Sequence, residues 1–372
     1  MTAVVAQKLV EPDAIESELK AIWEKLAQEN KTRACLFNLI VFNRYSPRTD
    51  YIRSIAQRVV EKFPCRLIFI SEDPQAAQVA QTDSPYLKTA VSVLVPQNGE
   101  SSVACDHIDI GVGGSDIERV PYLLLPHIIP DLPTTLLWTE DPTQPHPLFK
   151  PLSELANRLI FDSESADNLL EFAKIVLELK SKNTYDVADL NWARTEEWRD
   201  LLASLFRTAE RKSNLEHLKS LEIVYNERAT EYFCHLKIQS MYLLAWLSSR
   251  LGWTCEKASR TLQFSFTSAN QQPVGAIIRT AVWQNLGPGT IISIRLETNG
   301  QDVYNCYRIK EEYHYVNIEI SSHEKCDLPY QFLLGQTTTG HSLVQEICRK
   351  GTSQHYLEMF NTLMILDKDK LC

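Results

Sequence analysis

Two nearly continuous apolar runs shape the first half of the chain, Ala34-Cys-Leu-Phe-Asn-Leu-Ile-Val-Phe42 and Cys65-Arg-Leu-Ile-Phe-Ile70. Runs of this kind are typical of strands that are buried on both faces of a sheet. Between them, Thr49 can cap a helix whose apolar residues within 52–60 fall on one side. A strand, a helix and a strand in this order predict a βαβ unit with two parallel strands.

The pattern continues on both sides of this unit. An apolar stripe predicts a helix over residues 15–26. Further strands are predicted at 90–95, 103–110 and 134–138, and further helices near 117–129 and 166–179. We therefore expect the first half to be an α/β domain with a mainly parallel or mixed sheet.

The second half has a different pattern of apolar residues. Helical patterns near 196–206 and 231–250 give way to alternation with a period of two, and Asn299-Gly300 between two such runs is a strong hairpin signal. Two terminal helices follow, the last capped by Ser353. These patterns predict an α+β domain with an antiparallel meander. The polar stretch 181–186 is the expected boundary, which divides the chain into domains 1–185 and 186–372.

Composition excludes several classes of protein. The 372 residues are 44% apolar and 23% charged, with a net charge of −9, so a nucleic-acid partner is disfavoured because phosphate binding needs clustered cations. No run of 18 apolar residues occurs and no export signal is visible, so we expect no membrane association. The nine scattered cysteines form no C-x-x-C motif, which indicates reduced thiols in a cytoplasmic protein.

The sequence contains no recognisable catalytic set. There is no G-x-S-x-G motif, no H-E-x-x-H motif and no G-x-x-x-x-G-K-[ST] motif. Adjacent carboxylates such as Glu196-Glu197 point apart along a helix and are typical of a solvated surface. We therefore expect no catalytic residues, no cofactor and no metal ligands.

One glycine cluster leaves two interpretations open. Gly111, Gly113, Gly114 and Ser115 follow a predicted strand and precede a predicted helix, so their backbone amides could hold an anion. The alternative is a tight turn, because the spacing is not G-x-G-x-x-G and acidic residues follow in the first turn.

Two further segments are candidates for partner binding. Three prolines within residues 126–133 predict a stiff corner that either packs in the core or presents Leu132 or Trp138 to a partner. In the second segment Trp192 and Trp198 flank Arg194, and Arg199 follows, so a guanidinium can stack on an indole. Interdomain packing is the alternative for this segment.

The chain resembles the glucose-6-phosphate dehydrogenase assembly protein family, OpcA. The resemblance covers residues 13–255 and is carried by segments in a fixed order: Arg33-Ala-Cys-Leu-Phe-Asn-Leu-Ile40, Pro64-Cys-Arg-Leu-Ile-Phe-Ile70, Ile110-Gly-Val-Gly-Gly114, the Pro-Asp-Leu-Pro corner that leads to Trp138, Trp198-Arg-Asp-Leu-Leu-Ala203 and Tyr242-Leu-Leu-Ala-Trp-Leu-Ser-Ser-Arg-Leu-Gly-Trp253.

This resemblance implies a non-catalytic protein that binds glucose-6-phosphate dehydrogenase and promotes its active oligomer. It would thereby support NADPH production in the oxidative pentose phosphate pathway. The alternative is a small-molecule or phosphate-binding sensor or enzyme that uses the loop from Gly111 to Ser115, at the strand end where open α/β domains bind ligands.

Overall fold

The computed structural model describes residues 2–73, 86–96, 103–231, 235–322, 326–335 and 340–366. The chain forms two compact units, each assembled from three segments. The first unit comprises Met1–Asp162, Lys180–Leu190 and Thr339–Thr352, and the second comprises Ser163–Leu179, Asn191–Thr338 and Ser353–Cys372.

The strands fall into one sheet for each unit. Those of the first unit are β1 (Thr2–Val10), β2 (Thr32–Arg33), β3 (Asn38–Arg44), β4 (Arg66–Glu72), β5 (Tyr86–Pro96), β6 (Val103–Gly113), β7 (Thr134–Trp138), β8 (Arg158–Phe161) and β9 (Asp186–Asp189). Those of the second are β10 (Leu218–Asn226), β11 (Thr254–Ala258), β12 (Gln263–Thr267), β13 (Pro273–Ala281), β14 (Ile291–Thr298), β15 (Val303–Arg308), β16 (Tyr315–Ser321) and β17 (Tyr330–Leu333).

The described helices are α1 (Ile15–Gln28), α2 (Thr49–Lys62), α3 (Val120–Leu124), α4 (Phe149–Glu154), α5 (Leu169–Lys182), α6 (Leu190–Arg194), α7 (Glu196–Leu205), α8 (Ala209–Glu216), α9 (Ile238–Leu251), α10 (His341–Cys348) and α11 (Gln354–Leu366). Among them, none combines the length and the apolar character that a membrane span requires.

The first sheet is mixed, as predicted. Its order is β1-β5-β6-β4-β3-β7-β8-β9, with β2 paired to β6. The strands from β6 to β9 in that order run parallel, whereas β5 pairs antiparallel with both β6 and β1. The predicted βαβ unit is confirmed as β3, α2 and β4. Its core is apolar because Ile52, Ile55 and Val59 of α2 pack against the buried residues of the two strands.

The proline corner breaks the helix predicted near 117–129 into short pieces. A turn of 3₁₀ helix at Gly114–Arg119 leads into α3, and a second at Leu125–His127 ends the segment. Pro126 explains the break, because proline lacks the N–H group that an α-helix needs in its interior. Strand β7 then begins at Thr134, as predicted.

The second unit is α+β, as predicted. Its sheet order is β11-β12-β13-β10-β14-β15-β16-β17, and each neighbouring pair is antiparallel except the parallel pair β10 and β13. The Asn299-Gly300 hairpin is confirmed between β14 and β15, where the Thr298 N–H donates to the Asp302 carbonyl at 2.9 Å. The Ser353 cap is also confirmed, because its Oγ accepts from the Tyr356 N–H at 3.4 Å.

The compact units do not coincide with a single cut along the chain. Residues 186–190 belong to the first unit because β9 pairs with β8, and residues 339–352 belong to it because α10 packs on α2. The division of the chain into two contiguous domains, 1–185 and 186–372, therefore stays a prediction.

A buried ion network holds the first unit together at the amino ends of its parallel strands. The Asp106 carboxylate of β6 accepts from the Trp23 indole at 2.7 Å, from Arg33 at 2.6 Å and from Arg66 at 2.7 Å. Arg66 also donates to Glu16 at 2.8 Å and to the His127 carbonyl at 2.7 Å. Burial raises the pKa of Glu16, but hydrogen bonds from His127 and Arg66 outweigh it and leave the pKa below its ordinary value.

We predict that Asp106→Asn destabilises the protein by about 3–5 kcal/mol, because it removes a buried charge and turns an amide N–H towards the donors of Arg33 or Arg66. Urea unfolding followed by tryptophan fluorescence measures the change. The control is Glu18→Gln, which breaks a partly exposed pair with Lys8 and is expected to cost less than about 1 kcal/mol. Equal effects of the two variants would contradict a structural role for the network.

A second prediction concerns His107 of β6, which is 6% exposed and lies 2.9 Å from the Ser92 hydroxyl. Burial lowers its pKa from 6.5 to about 4. On acidification the unfolded chain takes up a proton near pH 6.5 and the folded chain does not, so stability present above pH 6.5 is lost towards pH 4.

We expect His107→Gln to lose about 2 kcal/mol less stability than the parent chain between pH 7.5 and pH 5. Urea unfolding at both pH values measures this difference. Identical pH dependence of the two chains would show that His107 does not couple protonation to folding.

Candidate functional site

The strand order of the first sheet reverses between β3 and β7. The chain runs from β3 to β4, its neighbour on one side, and later returns to β7, its neighbour on the other side. Open α/β sheets bind ligands outside the carboxyl ends of their strands at such a point. Polar residues at the carboxyl ends of β3, β4, β7 and β8, or just after them, include Arg44, Glu72, Thr139, Glu140 and Asp162. We take this carboxyl edge as the candidate site.

The turn from β3 to α2 binds its own backbone donors. The N–H of Tyr45 donates to the Glu72 carbonyl at 2.7 Å, that of Ser46 to the Thr49 hydroxyl at 2.9 Å, and that of Thr49 to the Ser46 carbonyl at 2.9 Å. Arg48 N–H donates to the Ser46 hydroxyl at 3.3 Å, and Pro47 has no N–H. In a dinucleotide-binding domain these amides would face phosphate. Here these backbone amides donate instead to acceptors of the chain itself.

This turn corrects the predicted role of Thr49. Thr49 is the first residue of α2 rather than its cap, and Arg48 at the cap position makes no capping hydrogen bond through its side chain. The Thr49 hydroxyl instead stabilises the turn from inside, since it accepts from the Asn43 amide at 2.8 Å as well as from Ser46.

Charged side chains fill the rest of the carboxyl edge. Glu72 accepts from Arg44 at 3.0 Å and lies 3.2 Å from His146. Burial raises the pKa of Glu72, but the hydrogen bonds from His146 and Arg44 outweigh it, so its pKa is lowered. Arg48 pairs with the fully buried Asp162 at 2.7 Å. Arg44 and Arg48, the cations that could attract a phosphate at this edge, are thus already paired with carboxylates of the chain itself.

Trp138 is placed under this edge and does not contact solvent. It is 1% exposed and stacks on Phe42 with 4.3 Å between ring centroids, and the centroids of the His146 and Phe149 rings lie 5.3 and 4.9 Å from its own in edge-on contacts. The prediction that Trp138 contacts a partner is therefore wrong, because the ring is enclosed on its faces and edges. Leu132 is half-buried in the turn before β7, and its role in a partner interface stays a prediction.

The glycine loop is part of the sheet for half its length. Gly111 and Gly113 lie within β6, and Gly111 is paired with Ser71 on one side and Lys88 on the other. A side chain at Gly113 would come within 2.8 Å of the Asp73 carbonyl, so close packing explains this glycine. Gly114, at φ +60°, and Ser115 are exposed at the start of the 3₁₀ turn. Anion binding by the loop stays a prediction.

Arg194 and Arg199, the two arginines predicted to contact a partner, are held by their neighbours in the second unit. The Arg199 guanidinium lies 3.5 Å from the centroid of Trp192 and is 8% exposed, which confirms stacking but corrects its role as a partner contact. Arg194 is partly exposed; it donates to Asn191 at 2.8 Å and lies 3.7 Å from Glu164. Its part in an interface stays a prediction.

No sequence motif predicts the charged residues of the carboxyl edge. Their signal was positional, because Arg44, Glu72, Glu140 and Asp162 each stand at the end of a buried strand or within two residues after it. Across the described ranges, no cluster of three or more His, Cys, Asp or Glu side chains is arranged to hold a metal ion.

Comparison with known proteins identifies the family of this chain. Residues 56–176 match the family model of the glucose-6-phosphate dehydrogenase subunit N-terminal domain, and residues 185–359 match that of the C-terminal domain. The chain belongs to the OpcA family. This confirms the resemblance inferred from the ordered sequence segments.

Individual OpcA relatives are named as OxPP cycle proteins. One from Synechocystis sp. is 28% identical in an alignment of 275 residues that covers 69% of this chain and 53% of the relative. One from Nostoc punctiforme is 27% identical over 275 residues, 70% of this chain and 54% of the relative. The chain thus spans about half the length of the curated relatives that it matches.

Solved structures show weaker similarity. The transcriptional regulator Gal80p from Kluyveromyces lactis has a TM-score of 0.49 at 8% identity, and the match covers 93% of this chain and 96% of that one. Levoglucosan dehydrogenase has a TM-score of 0.47 at 10% identity, covering 90% and 97%. At this level neither protein assigns a function to the OpcA-family chain.

We predict that Thr49→Val destabilises the protein by about 1–3 kcal/mol, because it keeps the side-chain volume but leaves the Ser46 N–H and the Asn43 amide without their acceptor. The matched control is Thr32→Val at an exposed position of β2, for which we expect a change below about 0.5 kcal/mol. Thermal and urea unfolding would both report the difference. Two unchanged curves would argue against a hydroxyl-stabilised turn.

Proposed function

We propose that this chain is a cytoplasmic, non-catalytic protein that binds glucose-6-phosphate dehydrogenase and promotes its active oligomer, thereby supporting NADPH production in the oxidative pentose phosphate pathway. The proposal is carried by one observation. Residues 56–176 and 185–359 match, in that order, the family models of the glucose-6-phosphate dehydrogenase subunit N-terminal and C-terminal domains. The names of the relatives, which refer to the OxPP cycle, support the same assignment.

The geometry of the carboxyl edge supports a binding role over a catalytic one. The turn that would bind a dinucleotide phosphate uses its amides internally, and carboxylates lie beside it. A chain built in this way acts on its partner through its outer surface. It must bind the competent oligomer more tightly than the inactive state, and a tenfold shift requires about 1.4 kcal/mol of differential affinity.

The direct test mixes the purified chain with glucose-6-phosphate dehydrogenase from the same organism. Size-exclusion chromatography with light scattering gives the mass of any complex, and steady-state kinetics give kcat and KM with and without the chain. We expect co-elution, a shift towards the larger oligomer, and a higher kcat or lower KM. Separate elution at micromolar concentrations together with unchanged kinetics would reject the proposal.

A ligand test separates this function from the anion-binding alternative at Gly111 to Ser115. We expect no change in Tm of the isolated chain with inorganic phosphate, glucose 6-phosphate or NADP⁺, because a ligand raises Tm only when it binds the folded state. Stabilisation by one of these anions that is abolished by Ser115→Glu would favour the alternative, since the new carboxylate would repel an anion there.

A further inference from the structure

A groove of about 410 Å³ runs across the surface of the first unit, between α3 with its following 3₁₀ turn and the segment that enters α4. Its walls are mainly apolar and include Tyr122, Leu125, Pro147 and Leu155. Every lining residue lies within residues 118–155, so the groove is complete within one unit. We call it the Tyr122–Leu125 groove.

Two of its apolar side chains are turned to solvent. Tyr122 is 77% exposed and Leu125 is 53% exposed, and their spacing of three residues places them on the same side of a helical turn. Isolated exposed apolar residues are common, but two beside an apolar concavity form a patch of the kind that marks a binding surface. Tyrosine in particular is enriched among the residues that dominate binding energy.

The groove is also rigid. Pro121, Pro147 and Pro151 line it and fix the backbone on both sides. Leu148 is fully buried beneath one wall, and the His127 carbonyl at the end of the other accepts from the buried Arg66. Because little ordering is needed on binding, such a surface retains more of its contact energy as affinity.

The rim of the groove is acidic. Glu118 and Glu154 line it and are both exposed, so their carboxylates flank the apolar floor. Glu154 pairs weakly with Lys150, whose amine lies 3.9 Å from the carboxylate and is 85% exposed. Acidic groups beside an apolar floor favour a partner segment with an apolar anchor and basic flanks.

We propose that the Tyr122–Leu125 groove is the docking site for the dehydrogenase and receives a Leu, Met or Phe side chain flanked by Lys or Arg. The proposal rests on the proposed function and specifies the surface that performs it. It also moves the predicted interface from the buried Trp138, which follows the proline corner, to the exposed Tyr122 and Leu125, which precede it.

The test compares the affinity of the full chain for the dehydrogenase with that of the double variant Tyr122→Ser/Leu125→Ser. Both side chains are largely exposed, so the variant is expected to fold, and its Tm verifies this. We expect the Kd measured by sedimentation velocity to rise at least about tenfold. The matched control is Leu9→Ser, 75% exposed on β1 at the edge of the first sheet, for which we expect less than about a twofold change.

A second arm tests the charge of the rim. Glu118→Lys/Glu154→Lys is expected to weaken binding several-fold at low salt and to reduce the loss of affinity that the parent chain shows as salt rises. Unchanged affinity and unchanged salt dependence would remove the basic flanks from the proposal.

Each remaining outcome is decisive. If the parent chain binds the dehydrogenase and the Tyr122→Ser/Leu125→Ser variant binds equally well, the groove proposal is overturned while the proposed function stands. If the parent chain does not bind, both fall. If the variant loses only self-association, the groove belongs to a second copy of the chain and the proposal is wrong.

Discussion

The carboxylate of Asp106 receives donors from three separate elements of the first unit: Trp23 on α1, Arg33 on β2 and Arg66 on β4. Taking a carboxylate and a guanidinium out of water is costly unless each donor and acceptor finds a partner. A shift of any of these elements would take one donor away from the buried carboxylate. Arg66 extends the constraint to the His127 carbonyl, which ends the 3₁₀ turn that carries Leu125. The network inside the unit thus fixes one wall of the groove outside it.

The two ends of the parallel strands are used differently. The amino ends carry the Asp106 network, which joins elements distant in sequence. The carboxyl ends, where doubly wound sheets usually bind ligands, are closed by the turn at Ser46 and by the pairs of Glu72 and Asp162. A fold with this topology can host many functions, and the residues at its edge decide among them. Here their internal pairing supports the proposed binding role.

Regular elements were predictable wherever local pattern and burial agreed. Strand β7 and the hairpin at Asn299-Gly300 follow from period, turn chemistry and proline placement alone. Trp138 and Arg199 show where such reasoning fails. An aromatic or cationic residue in a distinctive segment is equally compatible with a core position and an interface, and only the rings packed around Trp138 and beneath Arg199 distinguish the two.

The sequence by itself determined the α/β and α+β character of the two halves and the family, because hydrophobic period and the order of segments are properties of the chain read in one dimension. The tertiary structure alone decided which residues share a unit, which charges meet and which apolar side chains stay exposed. Asp106 and Arg66 are 40 residues apart in sequence, and Glu118 and Glu154 line one groove from different segments. Proximity of this kind is created by folding, since a side chain's local neighbours do not specify its distant ones.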